Sequence, residues 1–349
     1  MATIWFAILA VMLGMYIVLD GFDFGVGAQY LWVARKDKER RAVLNAIGPL
    51  WDGNEVWLIA SGGVLFFAFP LLYASAFSGL YLALFMVLWL LILRGLAIEL
   101  RHHVHHHLWG EFWDVIFSAA SIGLALLFGV ALGNLLRGVP LNEQGYFFVA
   151  LWTNLLPYAD PQGILDWFTV MIGLLGVAAL IMHGGNFLAF KVGQPVGQRA
   201  ARTASLAYWP VVALTVAAVV ITPLIQPLVV QRYITHPAGF ILPIAGVAAL
   251  AYVGIAQRRG KALHAFIASG GYILLMIVSA AYGIYPYLLI ATTDPAHSLT
   301  IENAAAAPFG LRVGLIWFTF GAILFLGYTV YVYRAFWGKV EPSAVGEGY

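Results

Sequence analysis

Nine apolar stretches follow one another along the chain, at residues 4–32, 55–75, 77–98, 112–136, 163–189, 204–225, 238–256, 264–290 and 310–334. Each is about as long as the roughly 20 residues that a membrane-spanning helix requires. Within lipid only helices and closed barrels satisfy their backbone groups, and these stretches are too long for barrel strands. The pattern predicts an all-α integral membrane protein with nine transmembrane helices. We expect residues 1–349 to form a single polytopic membrane domain, with a short turn around Pro70 and Tyr73 between the second and third helices.

The composition excludes a soluble protein. Hydrophobic residues make up 62% of the chain and charged residues 10%, with a mean hydropathy of +0.88, whereas soluble domains contain about 25% charged residues. The absence of cysteine excludes disulfides, zinc–thiolate sites, and thiolate-ligated iron–sulfur clusters or haem. A net charge of +2 gives no reason to expect a nucleic-acid partner. We expect the first apolar stretch to be a retained helix and not a signal peptide.

The basic residues alternate between the two sides of the predicted membrane domain. Most of them lie after the first, third, fifth, seventh and ninth helices: Arg35, Lys36, Lys38, Arg40, Arg41, Arg94, Arg101, Lys191, Arg199, Arg202, Arg258, Arg259, Lys261, Arg334 and Lys339. The other connections contain only Arg137, Arg232 and Arg312. Because cytoplasmic loops carry the excess of lysine and arginine, the pattern predicts an external N-terminus and a cytoplasmic C-terminus.

Two pairs of acidic residues lie in or beside predicted spans, where ionisable side chains are rare and usually functional. Asp20 and Asp23 occur in the first helix, and Asp52 and Glu55 occur where Pro49 is expected to open the second. The i,i+3 spacing within each pair places both carboxylates on one face of a helix. All four acids are predicted near the cytoplasmic side.

Other polar residues are predicted at the same depth as these acids. Arg94 and Glu99 end the third helix, and Trp51 and Asn54 flank the second acidic pair. Closely spaced carboxylates exchange protons, which favours a proton path from the cytoplasm. Two alternatives remain: a structural lock in which Arg94 pairs with an acid, and a cation site of carboxylate oxygens.

The histidines offer no pair for a bis-histidine haem on this chain. His183 is the one histidine clearly inside a predicted span, beside Gly184 and Gly185, and a bis-histidine haem needs a second at matching depth. We predict that His183 donates a hydrogen bond or relays a proton, with ligation of a haem iron as the alternative. The tract of five histidines at residues 102–107 matches no defined ligand set, so we interpret it as an interfacial loop, with metal binding as the alternative.

Several segments resemble subunit II of cytochrome bd-type quinol oxidases. They are residues 19–27 (LDGFDFGVG), 48–58 (GPLWDGNEVWL), 77–79 (FSG) followed by 94–95 (RG), 133–140 (GNLLRGVP), and 183–185 (HGG) with Lys191. They occur in matching order from the first helix to at least the sixth, and the chain length also fits.

The resemblance implies a subunit of a terminal oxidase in the bacterial or archaeal cytoplasmic (inner) membrane. The complex would oxidise quinol, reduce dioxygen to water and generate a proton gradient in aerobic respiration. Two b haems and haem d would lie on subunit I, and this chain would form two four-helix bundles plus a peripheral ninth helix, with no catalytic residue of its own. Asp52 matches the acid at the mouth of the family's proton path, and Asp20 and Asp23 match its paired acids.

Two other functions compete with this interpretation: a proton- or cation-coupled transporter, and a purely structural membrane partner. The acids lie at one face, and the two halves lack paired interrupted helices, which disfavours a transporter. The sequence leaves open which quinone is used and whether haem d or haem b occupies the oxygen site. It also leaves open whether small single-helix accessory subunits, lipids or a structural quinone join the complex.

Overall fold

The computed structural model describes residues 1–104 and 106–342, which form a bundle of long helices. The helices are α1 Ala2–Val33, α2 Asp37–Ala68, α3 Pro70–Gly79, α4 Tyr81–Leu100, α5 His107–Arg137, α6 Trp167–Lys191, α7 Val196–Ile225, α8 Pro227–Thr235, α9 Ile241–Arg258, α10 Ala262–Ile284 and α11 Pro308–Ala335. Four short strands lie between helices: β1 Ala150–Trp152, β2 Gly163–Leu165, β3 Tyr287–Leu289 and β4 Leu299–Thr300.

Eight helices among the described residues are long and apolar enough to cross a membrane. They are α1, α4, α5, α6, α7, α9, α10 and α11. This confirms the all-α membrane fold. Helix α2 is not among the eight, although it has 32 residues, because Asp52 and Glu55 lie within its apolar half.

The boundaries predicted for the second helix were wrong. Helix α2 begins at Asp37 instead of residue 55 and ends at Ala68 instead of residue 75, so Pro49 lies inside it and does not open it. Tyr73 lies within α3, and Pro70 occupies the first turn of that helix, where its missing N–H leaves no hydrogen bond unmade. The helical structure is therefore interrupted at Phe69 and at Leu80, on either side of α3.

The predicted span 264–290 was too long. Helix α10 ends at Ile284, just before Pro286, and residues 287–289 form strand β3, which pairs with β4 in antiparallel fashion. A proline ring disfavours helical geometry in the residue before it, which explains the early end. The two long loops meet here, because Val139 N donates to Ile290 O (2.9 Å) and Thr292 N donates to Val139 O (2.9 Å).

Glycines allow α1 and α6 to approach at backbone distance, as the small residues of both segments predict. A methyl group placed on Gly184 would lie 2.5 Å from the backbone carbon of Gly25 and 2.7 Å from the Phe22 carbonyl oxygen. The neighbours are helix backbone and cannot rotate away. This close approach holds α1 at the centre of the molecule, between α5, α6 and α10.

Helix α11 lies at the edge of the bundle. Among its residues only Leu311 is buried. It rests on α1 and α2 through aromatic contacts, with ring centroids of Trp5 and Phe318 5.4 Å apart and those of Trp57 and Phe325 4.9 Å apart. Its C-terminal end nevertheless reaches a buried polar side chain of α2, Asn54.

We predict that Gly184→Ala destabilises the protein whereas Gly271→Ala does not. The first adds a methyl group against backbone, and overpacking of this kind costs about 1–3 kcal/mol. The second lies on α10, where nothing occupies the space within 4 Å of an added methyl group. Thermal unfolding of the purified protein should show a lower midpoint for Gly184→Ala alone. Equal midpoints for the two variants would contradict the close α1–α6 contact.

Candidate functional site

Arg94 lies at the centre of a cluster of acidic side chains from α1 and α2. Its Nη1 donates to Asp20 Oδ1 (2.7 Å) and its Nη2 donates to Glu55 Oε1 (2.8 Å). The side chains of Arg94 and Asp20 are fully buried, and that of Glu55 is 23% exposed. The guanidinium carbon also lies 4.5 Å from the centre of the Phe24 ring and 6.0 Å from that of Trp51. One arginine thus joins α1, α2 and α4.

Asp23 belongs to the same cluster but has a neutral partner. Asn54 Nδ2 donates to Asp23 Oδ2 (2.8 Å) and to the carbonyl oxygen of Leu19 (3.1 Å). The Asp23 side chain is buried, and its Oδ1 has no hydrogen-bond partner among the described residues. Asp23 therefore holds one oxygen against a fixed donor and leaves the other free to bind a proton.

Two predicted acids lie outside this buried cluster. Asp52 is exposed on α2, one helical turn from Glu55, and Glu99 is exposed near the end of α4. The structure thus brings together Asp20, Asp23 and Glu55 with Arg94, Asn54 and Trp51. It leaves Asp52 at the surface beside them and Glu99 apart.

The whole chain matches known proteins. The sequence profile described as cytochrome bd terminal oxidase subunit II matches residues 1–336. The chain belongs to this family. It is therefore a subunit of a terminal oxidase, an oxidoreductase complex, and its apolar helices make it a multi-pass protein of the cytoplasmic (inner) membrane.

Individual relatives agree with this membership over most of their length. Cytochrome bd-I ubiquinol oxidase subunit 2 of Escherichia coli is 30% identical over 98% of this chain and 96% of its own length. Cytochrome bd ubiquinol oxidase subunit 2 of Bacillus subtilis is 28% identical over 89% of this chain and 88% of its own. The bd oxidase structure from Geobacillus thermodenitrificans has the same fold, with a TM-score of 0.71, 17% identity, and coverage of 96% of this chain and 98% of that chain.

Cytochrome bd complexes contain haem, and histidine is a common ligand of haem iron. His183 of this subunit II is the candidate ligand, because it is a buried histidine within a helix. It is fully buried on α6, where Nε2 donates to the Val18 carbonyl oxygen (3.0 Å) and Nδ1 pairs with Ser269 Oγ (2.7 Å). Its ring stacks on Phe266 with centroids 4.7 Å apart. Both ring nitrogens are engaged, so the arrangement does not fit haem ligation. It fits the predicted hydrogen bond between helices, joining α1, α6 and α10.

The histidine tract after α4 does not assemble a metal site in the part of the chain that the structure describes. No group of three or more His, Asp or Glu side chains could hold a metal ion within that part; His105 lies outside the described residues. Partial burial and the neighbouring charges of Arg101 and Arg41 lower the pKa of His102 below its usual value, which favours its neutral form.

Sequence reasoning missed a second buried ionic group, which lies where the C-terminal ends of α1 and α4 meet the N-terminal parts of α2 and α5. Asp114 on α5 accepts hydrogen bonds from Tyr30 Oη (2.8 Å), Arg40 Nη1 (2.7 Å) and Arg101 Nε (2.6 Å). Arg101 also donates to Asp37 Oδ1 (2.8 Å). Asp114 lies near the start of the fourth predicted span, so its position in an apolar stretch was a signal that could have found it.

A third ionic group lies at the opposite end of the bundle, between the end of α5 and the start of α6. Arg137, at the end of α5, pairs with Asp166, the N-cap residue of α6, and donates to Asn134 Oδ1 (2.7 Å). Asp166 also accepts from the backbone N–H groups of Phe168 and Thr169. These contacts satisfy the charges within the bundle, so we interpret this group as structural.

We expect Asp114→Asn to destabilise this subunit II strongly. It removes the charge that two arginines share, and removing one partner of a buried ion pair typically costs about 3–5 kcal/mol. The matched control is Glu111→Gln, the same acid-to-amide change at an exposed position of α5. Thermal unfolding of the purified complex should show a lower midpoint for Asp114→Asn alone. Unfolding at the wild-type temperature would mean that Asp114 is not a structural anchor.

Proposed function

We propose that this chain is subunit II of a quinol oxidase, that it scaffolds a haem-bearing subunit I, and that it supplies protons from the cytoplasm. Two quinols and one dioxygen yield two quinones and two water molecules. If the four protons of that water come from the cytoplasm and the four released by quinol leave outside, the reaction stores a transmembrane gradient. Subunit I would hold two b haems and haem d or a third b haem, together with the quinol site.

The proposed membrane topology has nine spans, an external N-terminus and a cytoplasmic C-terminus. Helix α2 brings the number of spans from eight to nine. Its 32 residues extend about 48 Å at 1.5 Å per residue, which is long enough to cross the membrane. The short helices α3 and α8 then lie on the external side. Helices α1, α2, α4 and α5 form one bundle, α6, α7, α9 and α10 form the second, and α11 is the peripheral helix.

The observation that carries the proton path is the charge imbalance around Arg94. Three carboxyl groups, on Asp20, Asp23 and Glu55, share one guanidinium inside an apolar bundle. An ionised carboxylate without a charged partner is very unfavourable in such surroundings, and binding a proton removes that charge. We infer that the cluster holds at least one exchangeable proton. A purely structural lock would need only one carboxylate for one arginine.

The exposed fraction of the acidic side chains decreases from Asp52 through Glu55 to Asp20 and Asp23. Asp52 is exposed, Glu55 is 23% exposed, and Asp20 and Asp23 are fully buried. A proton taken up at Asp52 would therefore move to Glu55 and then to the acids of α1. Lipids, small single-helix subunits and a structural quinone would complete the assembly around this path.

We predict that Asp23→Asn lowers quinol-driven dioxygen consumption while the complex stays assembled. The variant keeps the shape of the side chain, and Asp23 makes no ion pair with Arg94. Removing a positioned proton-transfer group reduces turnover by about 10²-fold or more.

Haem content and turnover of the purified complex test this prediction, with Glu143→Gln as the control because Glu143 is exposed in a loop far along the chain from the cluster. Normal haem content with a large loss of turnover in Asp23→Asn, and normal turnover in Glu143→Gln, is the expected result. Full turnover in Asp23→Asn would reject a proton path through this cluster.

A further inference from the structure

One residue of the peripheral helix α11 reaches the acid cluster. Tyr333 Oη lies 3.0 Å from Asn54 Oδ1, and Asn54 is the residue whose amide group contacts Asp23. Two neighbouring tyrosines on α11, Tyr328 and Tyr331, are 56% and 70% exposed, whereas Tyr333 is partly buried. Tyr333 is thus the least exposed of these three tyrosines.

The chemistry of the amide group fixes the direction of each hydrogen bond. An amide oxygen only accepts, so the Tyr333 hydroxyl donates to Asn54 Oδ1. Both N–H bonds of Asn54 are then used, one toward Asp23 Oδ2 and one toward the Leu19 carbonyl oxygen. The three contacts allow one orientation of the amide, with its nitrogen toward the carboxylate.

We propose that Tyr333 is a positioning residue of the proton path: by holding the Asn54 amide in this orientation, it keeps a hydrogen-bond donor against Asp23. The inference rests on the proposed function. Without the tyrosine hydroxyl, the Asn54 amide keeps only its two N–H contacts, to Asp23 and to the Leu19 carbonyl oxygen, so it is held less firmly against Asp23. A donor held less firmly stabilises the ionised carboxylate less, so the protonated form of Asp23 is favoured.

Other charged groups also act on Asp23, and they stay in place when Tyr333 is changed. Asp20 on the same helix and Glu55 on α2 repel its negative charge, and Arg94 on α4 attracts it. Tyr16 of α1 lies near Asp20 and Arg94. Replacing Tyr333 by phenylalanine removes one oxygen atom and leaves all of these charges unchanged, so the hydrogen bond is tested alone.

The test is the pH profile of quinol-driven dioxygen consumption by the intact oxidase complex carrying Tyr333→Phe. Because the cluster would keep its proton to higher pH, the alkaline limb should move to higher pH by roughly half to one unit, the effect of changing one hydrogen-bond partner. Tyr331→Phe, the same change at an exposed position of α11, should leave the profile unchanged. A Tyr333→Phe profile whose alkaline limb stays at the wild-type pH, whatever its height, overturns the proposal.

A double-mutant cycle with Asn54→Ala tests the route of the effect, since changes that act through one contact are not additive. If Tyr333 acts through Asn54, Tyr333→Phe produces no further shift once the amide is gone. An equal shift in both backgrounds overturns the proposal. The Asp23→Asn variant distinguishes the proton-path hypothesis from the hypothesis about Tyr333. If Asp23→Asn has normal turnover, the proton path itself is rejected. If turnover is lost while Tyr333→Phe shifts nothing, only the role of Tyr333 fails.

Discussion

The burial of Arg94 is the constraint on which the rest of the cluster depends. A guanidinium group stays charged, so an arginine inside an apolar bundle needs carboxylate partners. Asp20 and Glu55 provide them from two different helices, and this fixes α1, α2 and α4 relative to one another. The cluster keeps one more carboxyl group than these pairs use, Asp23, which is held by the neutral Asn54.

Charge balance separates the structural ionic groups of this chain from the proposed proton site. At Asp114 and Asp37 the arginines are at least as numerous as the carboxylates, and Arg137 is matched by Asp166. In these groups each carboxylate has an arginine partner. Around Arg94 three carboxyl groups face one arginine, so in the proposed proton site two protons would be needed to balance the charge. Of the three ionic groups described above, all of which join helices, the one around Arg94 is therefore the one proposed to transfer protons.

The sequence predicted the membrane fold and much of the cluster, because both follow from rules of local composition. Long apolar stretches predict helices, and acids within them predict a site. The start of α2 at Asp37 and the end of α10 at Ile284 were less predictable. The charged residues before the apolar stretch are part of α2, and α10 ends just before Pro286. Tyr333 could not be found at all from the sequence. Its role depends on how α11 packs against α2, a contact between residues 279 positions apart.

The central claim is that the cluster around Arg94 carries a proton, and infrared difference spectroscopy of the membrane-embedded complex tests it most directly. We predict a C=O stretching band of a protonated carboxylic acid that shifts in deuterium oxide. The band should disappear or move in Asp23→Asn or Glu55→Gln and remain in Glu143→Gln. A complex without such a band, or with one that none of the variants Asp20→Asn, Asp23→Asn and Glu55→Gln changes, would contradict the claim.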